Sequence, residues 1–150
     1  EGVILAHSNE AEWQSFKNNK NNEAFIDRVC IVKVPYCLQV TEEVEIYEKL
    51  LRNSSLHDAP CAPDTLRMLA QFLILTRIKE PENSSIYSKL RIYDGENLKD
   101  IDPKAKSIQE YRDNAGVDEG MDGLSTRFAF KILSKVFNFD PDEKIGRAHV

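Results

Sequence analysis

Two polar side chains stand beside apolar segments near the start of the sequence. Asn9 follows the apolar run at residues 3–6, and Arg28 comes directly before a second run at residues 29–34. In open α/β sheets, ligands bind outside the carboxyl ends of the strands, which is where Asn9 would lie. An amide can donate to a phosphate and orient a water there, and a guanidinium presents a rigid fork of donors that suits phosphate oxygens. The residue types therefore fit contacts to a bound phosphate.

Each of these two residues also has a structural alternative. Asn9 could cap the helix that begins at Glu10, because asparagine is a favoured N-cap residue. Arg28 could form a salt bridge with Asp27 or with another carboxylate. The residues alone leave both alternatives open.

A third candidate, Arg127, lies in the segment Gly123-Leu124-Ser125-Thr126-Arg127. Ser125 is predicted to cap a helix whose first turn contains this arginine. A helix N-terminus favours anions and mildly disfavours a cation. An arginine at that position therefore favours a ligand reading, and the alternative is a solvated first-turn side chain.

The elements that would position these residues change in character near Pro35. The continuous apolar runs at 3–6 and 29–34 are typical of buried parallel strands. After residue 35 the apolar positions follow the 3.6-residue period of helices. We therefore predict an α/β fold class, mostly α in this chain, in which two parallel strands are followed by helices.

The helical part shows several further signals. Thr41 can cap one helix, a second is predicted over residues 64–79, and the last begins at Ser125. The polar segment at 82–123 contains two short β-like runs near an Asp-Gly turn signal, followed by a helix predicted from Asp102-Pro103 to Gly116.

Several segments together resemble the AAA+ module of the bacterial PrkA family, known as serine protein kinases. The resemblance covers residues 2 to about 142 and is carried by VILAHSNEAEWQSFKNNKNNEAFIDR, CAPDTLRMLAQFLILTR, KEPENSSIYSKLR, YDGENLKD, KAKSIQEYRDNAGVDEGM and GLSTRFAFKILSKVFNF. The GLSTR segment is also similar to the GxSxR found in MoxR-type ATPases. The resemblance implies that Asn9 is sensor 1, that Arg28 is an arginine finger acting on a neighbouring subunit, and that Arg127 is sensor 2.

The resemblance also implies cofactors, partners and domains. ATP and Mg²⁺ would bind the full-length protein, which would form a homo-oligomeric ring and act on a protein substrate. Residues 1–35 would be the C-terminal part of the AAA+ core, and 36–144 a helical lid with the polar insert at about 82–123. Residues 145–150 resemble a translated sequencing adapter, so we expect an internal gene fragment with an artefactual tail.

The phosphate cradle of an ATPase is missing from this sequence. No glycine begins a GxxxxGK[ST] loop, and no acidic strand end is present to hold magnesium. In the family both would precede residue 1, so we expect this chain alone to bind and hydrolyse ATP poorly. No protein-kinase signature appears either. An ATP-dependent protease or remodelling module, and a non-catalytic helical interaction domain, therefore remain alternatives.

Composition excludes some classes of protein. The net charge of −5 and the scattered basic residues argue against a nucleic-acid partner. No apolar run approaches the roughly 18 residues of a membrane span. Cys30, Cys37 and Cys61 are odd in number and lack CxxC spacing, which favours reduced thiols and a cytoplasmic location and disfavours a metal site.

Overall fold

The computed structural model describes residues 2–139, and these residues are mostly helical. The prediction of a mostly α chain is therefore confirmed. The chain divides after Lys33 into two compact units, Glu1–Lys33 and Val34–Val150. Each unit is described by itself below, and the predicted tail at 145–150 lies outside the described residues.

The first unit is built from three short helical segments. They are α1 (Glu10–Asn18), a 3₁₀ turn (Lys20–Asn22) and α2 (Glu23–Ile26). Trp13 stacks on Phe16 within α1, with ring centroids 5.9 Å apart. The 3₁₀ turn is capped by the Asn19 side chain, which accepts a hydrogen bond from the backbone N–H of Asn21.

Neither predicted strand forms in the described part of the chain. Residues 3–6 and 29–34 carry no strand structure. The side chains of Val3, Ile4 and Leu5 are 91–93% exposed. A strand needs a neighbouring backbone to satisfy its N–H and C=O groups, and a lone apolar run has none in water. The apolar runs alone therefore did not predict the structure that these two segments adopt.

Up to residue 139, the second unit is a bundle of five helices. Their bounds are α3 (Val40–Arg52), α4 (Thr65–Leu75), α5 (Ile86–Tyr93), α6 (Ile108–Ala115) and α7 (Thr126–Phe139). α3 packs against α4, α7 packs against both, and α5 packs between α4 and α6. The core includes Tyr47, Leu73, Ile74, Leu90, Tyr93, Tyr111 and Ala129.

Helix α3 begins at Val40, one residue before the predicted cap Thr41. Its cap comes from another helix, because the Asp94 carboxylate at the end of α5 accepts from the backbone N–H of Thr41 at 2.7 Å and from its hydroxyl at 3.1 Å. A carboxylate also interacts favourably with the positive end of the helix. The predicted helix is therefore present, but Thr41 is not its capping residue.

The polar insert differs from its predicted structure. Residues 86–93 form helix α5 and not β-like runs, since Ile86, Lys89, Leu90 and Tyr93 recur at helical spacing and are wholly or partly buried. Ser85 caps this helix by accepting from the backbone N–H of Tyr87.

Helix α6 begins later than predicted. Ser107 and Glu110 form a capping box at its start, five residues after Asp102. The helix ends before Gly116 as predicted, and Gly116 has a positive φ of 78°.

Candidate functional site

Arg127 lies in the first turn of α7, as the sequence predicts. The Ser125 hydroxyl accepts from the backbone N–H of Phe128 at 3.3 Å, and the Ser125 carbonyl accepts from Ala129. The Arg127 side chain is exposed, and it forms no ion pair with any residue in the described range. Within the described residues, the Arg127 guanidinium is therefore without an ion-pair partner at the positive end of α7.

The segment before Arg127 is fixed to the end of α4. The backbone N–H of Leu124 donates to the Thr76 hydroxyl at 3.0 Å, and the Leu124 carbonyl accepts from Nε of Arg77 at 2.8 Å. Gly123 has a φ of 105°, and a Cβ at this position would lie 2.5 Å from the Thr76 carbonyl oxygen. The close approach and the positive φ together require glycine here.

A buried ion pair supports the same segment. Nη2 of Arg77 lies 2.9 Å from Oε1 of Glu43, and Nη1 lies 3.0 Å from Oε2, so the pair is bidentate. Both side chains have 0% exposure. The Thr126 hydroxyl donates to the same Glu43 Oε1 at 2.8 Å. The Glu43 carboxylate of α3 is thus shared between Arg77, two residues after the end of α4, and Thr126, the first residue of α7.

The protonation state of Glu43 follows from these contacts. Burial alone would raise the pKa of its carboxyl, but the hydrogen bonds from Arg77 and Thr126 outweigh burial and hold the pKa below its usual value. Glu43 is therefore ionised at neutral pH. Arg77 also lies over the Tyr36 ring at 5.1 Å from its centroid.

A second buried cluster is formed by residues that follow Arg77 in the sequence. The Glu119 carboxylate accepts from the Lys89 ammonium, the Tyr93 hydroxyl and the backbone N–H of Lys79, the last at 3.0 Å. Lys89 also donates to the Lys79 carbonyl at 2.9 Å. Burial, and the hydrogen bond to Glu119, raise the pKa of the Tyr93 hydroxyl. This cluster joins α5 to the end of α4 and to the loop before α7.

The first unit contains the other two candidates. Asn9 forms a capping box with Glu12, whose backbone N–H donates to the Asn9 Oδ1 at 2.8 Å. The structural alternative for Asn9 is thus observed, and its sensor role stays a prediction. Arg28 follows α2, its side chain is exposed, and within the described residues it forms no ion pair with Asp27. Its finger role also stays a prediction.

The three candidates are divided between the units, with Asn9 and Arg28 in the first and Arg127 in the second. Residues 2–139 include no group of three His, Cys, Asp or Glu side chains that could hold a metal ion. With no phosphate loop in the sequence, these residues do not by themselves fit a complex of ATP and magnesium. The geometry leaves the Arg127 side chain exposed at the start of α7, and its sensor role stays a prediction.

The residues that hold the Arg127 segment were missed at the level of sequence. Glu43 belongs to the buried stripe of α3 together with Val40 and Tyr47, at positions i, i+3 and i+7. Lys89 likewise interrupts the buried face of α5. A charged residue at an apolar-stripe position was the available signal, since buried charges are almost always paired.

Comparison with known proteins gives the family. The sequence model of the PrkA AAA domain matches residues 1–85, and that of the PrkA serine protein kinase C-terminal domain matches residues 87–147. The chain is 76% identical over 139 residues to the serine/threonine kinase YeaG of Escherichia coli K12. It is 42% identical over 139 residues to the ATP-dependent protease PrkA of Bacillus subtilis 168.

These matches cover 93% and 88% of this chain but only 22% and 21% of the relatives. The chain thus spans about a fifth of their length. No solved structure matches it. Among the described residues, no helix is long and apolar enough to cross a membrane. An AAA domain implies nucleotide use in general, and on the evidence of both domain matches this chain belongs to the PrkA family.

Proposed function

We propose that this chain is part of the ATP-binding and ATP-hydrolysing AAA+ module of a PrkA-type serine protein kinase. Arg127 acts as sensor 2 on the phosphates of ATP in its own subunit. Asn9 acts as sensor 1, and Arg28 acts as an arginine finger on the nucleotide of a neighbouring subunit in a ring. ATP and Mg²⁺ bind the full-length protein, whose substrate is another protein.

The observation that carries this proposal is the placement of Arg127. Its side chain is exposed at a helix N-terminus, while the preceding segment is held by contacts to two other helices. A guanidinium at the positive end of a helix is electrostatically unfavourable unless an anion binds there. The AAA match supports a nucleotide phosphate as the anion, and the 76% identity to a relative named as a kinase supports phosphate transfer as the reaction.

The first unit supports the same reading through its exposed apolar segments. Val3, Ile4 and Leu5 are almost fully exposed, and Val29, Ile31 and Val32 are 46–76% exposed. Contiguous apolar surface of this kind marks a place where other protein structure packs. In the longer family proteins we assign residues 3–6 and 29–34 to strands of the AAA+ core sheet, which would bring the Asn9 amide to a strand end.

The test compares the two arginines in a full-length PrkA family protein that contains this sequence. Arg127→Ala should weaken ATP binding by the subunit that carries it. Arg28→Ala should leave binding by its own subunit nearly unchanged but lower hydrolysis in the assembled ring by about a thousandfold, the usual worth of an arginine finger. Calorimetric ATP titration and steady-state ATPase assays measure the two quantities.

Mixed rings provide the control. Subunits with Arg28→Ala, mixed with subunits defective in their own phosphate loop, should recover part of the activity where an intact loop meets an intact arginine. If Arg28→Ala lowers the ATP affinity of isolated subunits as much as Arg127→Ala does, the trans role of Arg28 is wrong.

A second candidate function is an ATP-driven protease. Its support is the Bacillus subtilis relative, which is named an ATP-dependent protease and is 42% identical to this chain. Incubation of the full-length protein with labelled ATP and a protein substrate separates the two functions. Transfer of phosphate to the substrate supports the kinase, and ATP-dependent cleavage of the substrate supports the protease. The match to an AAA domain disfavours the third reading, a purely structural interaction domain.

A further inference from the structure

We propose that Thr126 is a positioning residue for Arg127, acting through the buried Glu43–Arg77 pair. The inference rests on the proposed function of Arg127. The hydrogen bond from the Thr126 hydroxyl to Glu43 fixes the rotation of the first turn of α7, so that the next side chain points outward to meet a nucleotide phosphate.

Helix geometry links the position of the Thr126 side chain to the direction of the Arg127 side chain. Successive residues of an α-helix are turned by about 100° around its axis. Thr126 is half-buried and faces Glu43 on α3, whereas Arg127 is exposed. Holding Thr126 inward therefore directs Arg127 away from the bundle. Without this hydrogen bond the first turn of α7 would fray more readily, and binding would then require the ordering of Arg127.

The anchor for this hydrogen bond is a fully buried, bidentate ion pair. Oε1 of Glu43 accepts from both Arg77 and Thr126, and Oε2 accepts from Arg77. Arg77 also donates to the carbonyls of Leu124 and Cys37, each at 2.8 Å. The Glu43 carboxylate thus connects the start of α7 both to α3 and to Arg77, which follows α4.

This arrangement allows a mild test. Thr126→Val replaces the hydroxyl by a methyl of similar size and leaves both Arg77–Glu43 hydrogen bonds in place. Thr126→Ser keeps the hydroxyl and loses only the methyl, which makes it the matched control. The two variants therefore separate the hydrogen bond from the packing of the side chain.

The experiment titrates a slowly hydrolysed ATP analogue, with magnesium, into the full-length protein. Thr126→Val should raise the Kd by about two- to tenfold, the cost of ordering one flexible side chain on binding. Thr126→Ser should leave the Kd nearly unchanged. Should Thr126→Val fail to fold, Thr126→Ala removes the same hydroxyl without a new methyl and must raise the Kd to a similar extent.

A double variant shows whether the effect passes through Arg127. In an Arg127→Ala background, Thr126→Val should cause no further loss of affinity, because the side chain that it positions is already gone. An equal loss in both backgrounds would overturn the positioning role, since Thr126 would then act independently.

The remaining outcomes distinguish the two proposals. If Arg127→Ala weakens binding and Thr126→Val does not, the positioning role is wrong and the proposed function stands. If Arg127→Ala leaves binding unchanged, the proposed function of Arg127 is wrong and the positioning role fails with it.

Discussion

Arg77 is the side chain on which the candidate site most depends. Its guanidinium donates to the carbonyls of Cys37 and Leu124 and to both oxygens of Glu43. These acceptors lie on separate parts of the chain, and a planar fork can reach them together in a way that a lysine ammonium cannot. A buried ion pair adds little net stability relative to apolar residues, but removing one partner leaves an unpaired buried charge.

Arg77→Met should therefore destabilise the chain by about 3–5 kcal/mol at pH 7, because Glu43 is left ionised and buried without its partner. Urea unfolding followed by circular dichroism measures the change in the free energy of unfolding. The double variant Glu43→Gln with Arg77→Met is the matched control. It should be more stable than Arg77→Met alone, since no buried charge remains.

The same pair predicts a dependence on pH. The pKa of Glu43 in the folded chain lies below its unfolded value, so its contribution to stability is full above the unfolded pKa of about 4.5. The contribution is lost as the pH falls through the folded pKa. The stability gap between the native chain and Arg77→Met should therefore narrow in acid. A gap that stays constant from pH 7 to pH 3 would contradict the assignment of charge to Glu43.

At the scale of elements, the turn before α7 depends on Gly123, and we predict that this position does not tolerate a side chain. Gly123→Ala should destabilise the chain by at least about 3 kcal/mol, because the new Cβ would meet a backbone carbonyl oxygen that cannot move aside. Thermal unfolding of the variant measures this loss.

Gly95→Ala provides the control for Gly123→Ala. Gly95 has a similar φ of 90°, but its Cβ would point into open space. Gly95→Ala should lower the free energy of unfolding by only about 1–2 kcal/mol, because the alanine would adopt a strained left-handed conformation. Equal effects of the two substitutions would show that Gly123 is needed for its backbone angle alone.

Some elements could be predicted from the sequence, and others could not. The spacing of apolar residues located α3, α4 and α7, and Ser125 marked the start of the helix that bears Arg127. Helix α5 was missed because its sequence, IYSKLRIY, is rich in β-branched and aromatic residues, whose local preference yields to packing here. Contacts with other helices, and not local preference, therefore determine the helical structure of residues 86–93.

The candidate site was predictable only in part, for a related reason. The position of Arg127 follows from local sequence, whereas the pairing of Glu43 with Arg77 joins residues 34 positions apart. Periodicity shows that Glu43 falls on a buried stripe, but it cannot name the partner. The strands predicted at 3–6 and 29–34 are absent from the described residues, since a strand needs neighbours that local sequence does not specify.

At the scale of the whole molecule, the two family models and the compact unit divide the chain differently. One model ends at residue 85 and the other begins at 87, yet the second unit runs through this point without a break. The Lys89 ammonium donates to the Lys79 carbonyl across the boundary, and the Gly120 N–H donates to the Arg77 carbonyl at 3.2 Å. Buried polar groups on each side are therefore satisfied by the other side.

We accordingly expect residues 34–85 not to fold without the segment that follows them. Alone they would keep α3 and α4, two short helices that are marginal in water, and Glu43 and Arg77 would lose Thr126 and Leu124 as partners. The measurement compares thermal unfolding of two purified chains, 34–85 and 34–150, by circular dichroism. The longer chain should unfold in one cooperative transition and the shorter should show none. A cooperative transition of the shorter chain near the temperature of the longer would mean that residue 86 is a true domain boundary, and that α7 with Arg127 is docked onto a finished domain rather than built into it.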